Sequence, residues 1–199
     1  MVYLVAHGLF WVFFKSFLSL KAFGAMEIPI KGGYIIASNH LSNLDPMILG
    51  IASGRRLNYL AKSSLFKNKI LSFFLSQFGA FPVKRGLADS GSIKEALRRL
   101  GKDEGLVMFP QGGRQASVIS LENVKPGVGM IAAKARVPIV PAYILGSDKA
   151  MAPKSNLIKP AKVVVYFGSP IYIKENEPYQ QIADAVMKAI QNLSLKAKR

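Results

Sequence analysis

The residues best able to do chemistry lie in one short polar run, Ser38-Asn39-His40-Leu41-Ser42-Asn43-Leu44-Asp45-Pro46. His40 is one of only two histidines in the chain, and it closely follows the apolar run Tyr34-Ile35-Ile36-Ala37. Imidazole is the side chain best suited to accept and return a proton near neutral pH. A nearby carboxylate such as that of Asp45 can hold the second ring nitrogen and orient the ring. The run therefore predicts a general base with a supporting acid.

The spacing between His40 and Asp45 requires a turn between them. On a continuous helix each residue rotates the side chain by about 100°, so residues five apart point in different directions. Asp is a favoured N-cap and Pro a favoured first helical residue, so Asp45-Pro46 predicts the start of a helix. In the alternative interpretation, Asp45 only caps this helix and His40 is an ordinary loop residue.

The elements that would position this pair alternate between short apolar runs and helical stretches. The predicted strands are Tyr34–Ser38, Leu57–Ala61, Ala80–Val83, Leu106–Phe109, Ile139–Ile144 and Lys162–Phe167. The predicted helices are Pro46–Ser53, Phe66–Phe78, Ser92–Lys102, Val128–Ala135 and Pro178–Leu195. Continuous apolar strands that alternate with helices predict an α/β fold whose sheet is covered by helices. Since no repeat or linker divides the chain, residues 25–199 are predicted to form a single α/β domain.

Composition narrows the class of partner. The formal net charge is +16 and the pI is about 10.1, so the partner should be anionic. The chain is also 50% hydrophobic with a mean hydropathy of +0.24. A bilayer with anionic lipids binds both positive charge and apolar side chains, so we expect the partner to be a membrane surface. The sequence has no helix-turn-helix or RNA-binding signature, so we expect no nucleic-acid partner. The absence of cysteine excludes a thiol nucleophile and thiolate metal ligands, and two histidines far apart in sequence predict no metal site.

The N-terminal residues are rich in aromatic and aliphatic side chains. Because His7, Gly8 and Lys15 interrupt them, the clean apolar stretch falls short of the roughly 20 residues that a membrane span needs. Residues 1–24 are therefore predicted to form a hydrophobic helix that associates with the membrane interface, with a core-packing helix as the alternative. Residues 65–78 allow three interpretations: a buried core helix, a second membrane contact or the wall of an acyl pocket.

Three further clusters lie along the chain. Phe81-Pro82-Val83-Lys84-Arg85-Gly86 places two cations after a predicted strand, and Phe109-Pro110-Gln111-Gly112-Gly113-Arg114 joins a strand end to a glycine turn and an arginine. The third, Val137-Pro138-Ile139-Val140-Pro141, is an apolar strand bracketed by prolines. Ligands of open α/β sheets bind beyond the carboxyl ends of strands, and the first two clusters and His40 all follow strands. This shared position favours a single site.

Taken in order, the four blocks resemble those of the glycerolipid acyltransferase family. The family's His-x-x-x-x-Asp block matches His40 through Asp45, and its second block ends a strand in an arginine, as at Arg85. Its Phe-Pro-Glu-Gly-Thr-Arg block matches residues 109–114 with two changes, and its Val-Pro-hydrophobic-hydrophobic-Pro strand matches residues 137–141. The resemblance covers roughly residues 30–170. It implies a glycerol-3-phosphate acyltransferase-like fold with a mixed, largely parallel sheet, and an enzyme of phospholipid biosynthesis.

The resemblance also implies roles for individual residues. His40 would remove the proton from a free hydroxyl of a lysophospholipid, and Asp45 would orient the ring. The substrate-binding residues implied are Lys84, Arg85, Gln111, Gly112, Gly113 and Arg114. The two arginines among them would hold the acceptor's phosphate, since a guanidinium can bind phosphate with two hydrogen bonds. The expected acceptor is 1-acylglycerol-3-phosphate and the product phosphatidic acid, with acyl-CoA or acyl carrier protein as the donor and no further cofactor.

The block at residues 109–114, the third of the four, departs from the family pattern in two places. Gln111 stands where the family has glutamate and Gly113 where it has threonine. Glutamine lacks the charge and adds hydrogen-bond donors, so an acyltransferase for a different acceptor is one alternative. A non-catalytic lipid-surface binding protein and a hydrolase that uses His40 on water are two others. In each lipid-related interpretation we expect a peripheral, monotopic protein on the cytoplasmic face of the membrane.

Overall fold

A computed structural model describes residues 8, 12–83, 90–114, 124–153, 155 and 157–197. The strands in these ranges are Lys21–Phe23 (β1), Tyr34–Ser38 (β2), Leu57–Lys62 (β3), Ala80–Val83 (β4), Gly105–Met108 (β5), Ile139–Leu145 (β6) and Val164–Phe167 (β7). The helices are residues 12–17 (α1), Asp45–Ser53 (α2), Lys69–Gln77 (α3), Ser90–Leu100 (α4), Gly127–Ala135 (α5), Ser147–Ala150 (α6) and Tyr179–Lys196 (α7). Short 3-10 turns occupy Ala25–Glu27 and Ser63–Lys67.

The strands form one sheet in the order β1-β7-β6-β2-β5-β3-β4. Strands β2 to β6 run parallel to one another, and β7 is antiparallel to β6. β1 is the far edge strand and runs parallel to β7. These pairings confirm the predicted α/β fold with a mixed, largely parallel sheet, and they place β2 at the centre.

Apolar side chains of β2 point to both faces of the sheet, as expected for a strand buried between two helical layers. Ile36 packs into one core with residues of α1 and α2, including Phe14 and Ile48. Ile35 packs into a second core on the other face, formed with side chains of α4, α5 and α7 such as Leu100, Ile131 and Ile182. All of β2 is buried, so the strand that leads to His40 is held from both sides.

The N-terminal segment contributes to this core. Phe14 and Leu18 are at most 1% exposed, while Val12 is 56% exposed. β1 lies within the segment 1–24 and pairs with β7, and the division at residue 24 stays a prediction. None of the helices among the described residues has the length and apolar character needed to cross a bilayer.

Predicted and observed element boundaries differ by one or two residues in most cases, and two of the differences have a clear local reason. The predicted helix Phe66–Phe78 is a 3-10 turn followed by α3, because the side chain of Asn68 accepts a hydrogen bond from the Leu71 N–H (3.1 Å) and caps a new helix there. Asp45 is the first residue of α2 and not its N-cap, which is Leu44. The Asp45 carboxylate bonds N–H groups of the preceding turn instead, as described below.

Candidate active site

His40 lies just beyond the carboxyl end of β2, where the ends of three parallel strands meet. The pairing of Ala37 with Met108 places the end of β5 on one side, and the pairing of Ser38 with Ala142 places β6 on the other. The backbone leaves the sheet at Ser38 and turns through residues 39–44 into α2. The turn predicted between His40 and Asp45 is therefore present, and it faces the edge where α/β sheets bind ligands.

The side chains of His40 and Asp45 are in direct contact. His40 Nδ1 lies 2.8 Å from Asp45 Oδ2, and the same oxygen accepts hydrogen bonds from the Leu41 N–H (2.7 Å) and the Ser42 N–H (2.8 Å). Asp45 is 0% exposed, whereas the His40 side chain is 11% exposed. Because Oδ2 is an acceptor, Nδ1 is the nitrogen that carries hydrogen, and Nε2 is left as the nitrogen that can take a proton.

Phe109 fixes the plane of the imidazole. Its ring stacks on His40 with the centroids 4.0 Å apart and the planes 15° from parallel. Phe109 directly follows β5, so two neighbouring strands each deliver one of the stacked rings. Asp45 restrains the imidazole at its edge and Phe109 restrains it at its face, which holds the base in one orientation.

Asn39 ties the turn to β6, and Ser42 ties it to the segment after α6. Asn39 Nδ2 donates to the Ile144 carbonyl (2.9 Å), and its Oδ1 accepts from the Ile144 N–H (2.8 Å), so the amide replaces a backbone pairing partner next to His40. Ser42 Oγ donates to the Met151 carbonyl (2.8 Å). Asn39 and Ser42 are at most 1% exposed, so both act within the protein core and not on a ligand.

The third predicted block forms an ordered turn at the same edge. The Gly112 N–H donates to the Phe109 carbonyl (2.9 Å), and the Lys125 N–H donates to the Pro110 carbonyl (2.9 Å). Gly112 adopts φ +69°, a left-handed conformation that favours glycine. Arg114 is exposed and one of its guanidinium nitrogens donates to the Pro153 carbonyl. Gln111 and Gly113 are half-buried.

The structure thus brings the first and third blocks to one edge of the sheet. His40, Asp45 and Phe109 are in contact, and Arg114 links the third block to the segment after α6. Lys84 and Arg85 lie outside the described residues, and their roles stay predictions. No group of His, Asp or Glu side chains within the described ranges is arranged to hold a metal ion.

The roles of three residues were not foreseen from the sequence. Phe109 was part of a recognised block, but the sequence does not indicate that a phenylalanine at a strand end stacks on a histidine. Asn39 was part of another block, and its contact partner Ile144 is 105 residues away. Met151 carries no sequence signal at all, since only its carbonyl is used.

Comparison with known proteins identifies the family to which this chain belongs. The model of the acyltransferase family matches residues 20–145, which includes both His40 and Arg114. The chain is 31% identical over 163 residues to the 1-acyl-sn-glycerol-3-phosphate acyltransferase of Bacillus subtilis, an alignment that covers 79% of this chain and 78% of that protein. The enzyme of the same name from Streptococcus pneumoniae is 31% identical over 173 residues, which covers 83% of this chain and 62% of that protein.

The fold is shared with a solved structure. The crystal structure of the 1-acyl-sn-glycerophosphate acyltransferase PlsC from Thermotoga maritima superposes with a TM-score of 0.71 at 20% identity, covering 95% of this chain and 81% of that chain. This likeness confirms the predicted glycerol-3-phosphate acyltransferase-like fold. Because the family model spans more than half of the chain and includes the His40–Asp45 pair, this protein belongs to the acyltransferase family.

Proposed function

We propose that this chain transfers an acyl group from a thioester to the free hydroxyl of 1-acylglycerol-3-phosphate, which yields phosphatidic acid. The observation that carries the proposal is the 2.8 Å contact between His40 Nδ1 and Asp45 Oδ2 beside the stacked ring of Phe109. The names of the Bacillus subtilis and Streptococcus pneumoniae relatives support lysophosphatidate as the acceptor.

The chemistry follows from the single free nitrogen of the base. His40 Nε2 takes the proton of the acceptor hydroxyl as its oxygen attacks the thioester carbonyl carbon. The protonated ring is stabilised by Asp45, whose Oδ2 already accepts two backbone hydrogen bonds. The tetrahedral intermediate collapses with cleavage of the carbon–sulfur bond, and His40 returns the proton to the departing sulfur. The products are the ester and a free thiol, and no acyl-enzyme forms.

We assign binding of the acceptor's phosphate to Arg114, which lies in the turn at this edge. Arg114 is exposed, and a guanidinium has five N–H donors, so its bond to the Pro153 carbonyl leaves several for a phosphate. Lys84 and Arg85 are proposed as further phosphate ligands. Gln111 and Gly113 lie beside Arg114 in the same turn. Because these two residues depart from the family pattern, we expect this chain to differ from other family members in its acceptor specificity.

The protein would work at a membrane surface. Its formal charge of +16 attracts an anionic leaflet, an anionic acceptor and an anionic donor, whether the acyl group is carried by coenzyme A or by acyl carrier protein. We propose a peripheral, monotopic association with the cytoplasmic face, where such donors are made.

A panel of lysophospholipids assayed with one acyl-CoA tests the function. We expect product with 1-acylglycerol-3-phosphate, and no product with it in a His40→Ala variant that still binds vesicles. Asn43→Ala is the matched control because Asn43 is exposed in the same turn. A different preferred acceptor would replace lysophosphatidate in the proposal, thiol release without ester would indicate a hydrolase, and no turnover with any acceptor or water would leave a lipid-binding protein.

A further inference from the structure

Helix α3 exposes its apolar side chains to an unusual degree. None of its nine residues is buried. Ile70 is 73% exposed, Leu71 41%, Phe73 56% and Phe74 52%. A helix packed on a sheet normally buries such a stripe, as α7 does with side chains that are at most 1% exposed.

These side chains form one contiguous surface. Residues three and four apart are neighbours on a helix surface, and at about 100° per residue the four exposed side chains fall within an arc of about 160°, so they share one side of α3. Leu65, in the 3-10 turn that leads into the helix, is 43% exposed as well. We call Leu65 and the four exposed side chains of α3 the α3 apolar surface. Contiguous patches of this kind on a folded protein mark interaction sites.

Cations flank the α3 apolar surface at both ends. Lys67 and Lys69 are exposed at its N-terminal end. At its C-terminal end Ser76 lines an open cavity of about 500 Å³ at the amino edge of the sheet. Five cationic side chains and two acidic ones line this cavity, namely Arg55, Arg56, Arg98, Arg99 and Lys102 with Asp103 and Glu104. Even with Glu95, which pairs with Arg98 and Arg99, the cations here outnumber the acids, so positive charge is in excess at both ends of the exposed helix.

We propose that the α3 apolar surface inserts into the interface of an anionic bilayer, with the flanking cations on the lipid phosphates. Apolar groups flanked by cations fit a surface that has hydrocarbon below a layer of negative charge. A second copy of this chain fits less well, because it would bring clusters of like charge together across a protein interface.

The position of α3 connects this surface to the site. β3 ends at Lys62, at the same edge of the sheet as His40, and only one strand, β5, lies between β3 and β2. The 3-10 turn and the start of α3 therefore lie at the catalytic edge, so insertion there would hold His40 at the membrane surface. This consequence rests on the proposed function, whereas insertion itself does not.

Vesicle binding without any assay of acyl transfer tests the insertion. We expect the full-length Phe73→Ser/Phe74→Ser variant to bind vesicles that contain phosphatidylglycerol roughly 100-fold more weakly, since each phenyl side chain withdrawn from hydrocarbon costs a factor of about ten or more. The matched control is Tyr172→Ser/Leu157→Ser, since these residues are 73% and 63% exposed elsewhere. Equal binding by both variants and the wild type would overturn the proposal.

Depth of insertion gives a second, independent readout. The chain has one tryptophan, Trp11, so a Trp11→Phe/Phe73→Trp protein reports from α3 alone. We expect its fluorescence to be quenched by lipids brominated in the acyl chain. Absence of quenching in vesicle-bound protein would overturn the proposal, as would a dimer in vesicle-free solution that the Phe73→Ser/Phe74→Ser change dissociates. Acyl transfer to a monomeric short-chain acceptor should be unchanged by that double substitution, which separates failure of insertion from failure of the proposed function.

Discussion

Replacing Asp45 with asparagine removes the negative charge beside the His40 base and leaves the shape of the side chain at position 45 nearly unchanged. Oδ2 of Asp45 accepts hydrogen bonds from His40, Leu41 and Ser42 at 2.7–2.8 Å. An amide oxygen turned to the same position still accepts the two backbone bonds. We therefore expect the free energy of unfolding of Asp45→Asn to stay within about 2 kcal/mol of wild type.

We expect Asp45→Asn to affect the rate of acyl transfer more strongly than the free energy of unfolding. A charge-assisted hydrogen bond contributes about 1.5–3 kcal/mol, which corresponds to a factor of about 10 to 150 in rate. The neutral amide also leaves the protonated imidazole without a counter-charge, and in a Ser-His-Asp triad the equivalent change lowers kcat by about 10⁴. We expect kcat of Asp45→Asn to fall by at least about 100-fold, with the acceptor KM changed by less than about threefold.

The assay can follow thiol release directly. The chain contains no cysteine, so a thiol-reactive dye reports only the thiol freed from an acyl-CoA donor. Asp148→Asn is the matched control, because this acid lies in α6 at the same edge and has no contact with the imidazole among the described residues. If folded Asp45→Asn retains more than a third of the wild-type kcat, Asp45 does not support the base.

Asp45→Ala separates the structural role of this residue from its chemical role. It leaves the N–H groups of Leu41 and Ser42 without their carboxylate partner at a position where the side chain is 0% exposed. Each buried unsatisfied group costs about 1–3 kcal/mol, so we expect the free energy of unfolding to drop by about 2–6 kcal/mol. Urea unfolding measures this loss, and equal stability of the Ala and Asn variants would contradict the hydrogen-bond assignment.

Three further predictions concern the surrounding residues. Arg114→Ala should raise the acceptor KM about tenfold and the donor KM much less, because a charge-assisted bond to phosphate is lost; an unchanged acceptor KM removes Arg114 from phosphate binding. Phe109→Leu should lower kcat about two- to tenfold by freeing the stacked His40 ring, since such a stack is worth about 0.5–1.5 kcal/mol; unaltered kcat in steady-state assays would show that the stack does not orient the base. Hydrogen bonds from Arg98 and Arg99 lower the pKa of Glu95 to about 2, so its stabilisation is complete above the ordinary glutamate pKa and lost as pH falls through about 2. Glu95→Gln should therefore be up to about 1 kcal/mol less stable at pH 7, with the gap in urea unfolding narrowing in acid, and a gap independent of pH would contradict the pairing.

Local pattern predicted most of the sheet. β2 and β4 have the predicted bounds, because their apolar runs end at polar or charged residues. β1 was not predicted, since three residues inside a hydrophobic N-terminal segment carry no strand pattern and pair only because β7 lies beside them. α6 was missed for the same reason, because a four-residue helix has too few turns to show a periodicity.

The order of residues by itself determined the reacting pair, the family and the requirement for a turn, because a histidine and an aspartate five apart can meet only across one. Tertiary structure decided what surrounds that pair. Phe109 reaches His40 only because β5 and β2 are neighbours in the sheet, and Asn39 bonds Ile144 only because β6 lies on the other side. Such contacts join residues tens of positions apart, and their existence depends on strand order, which no local run of side chains specifies.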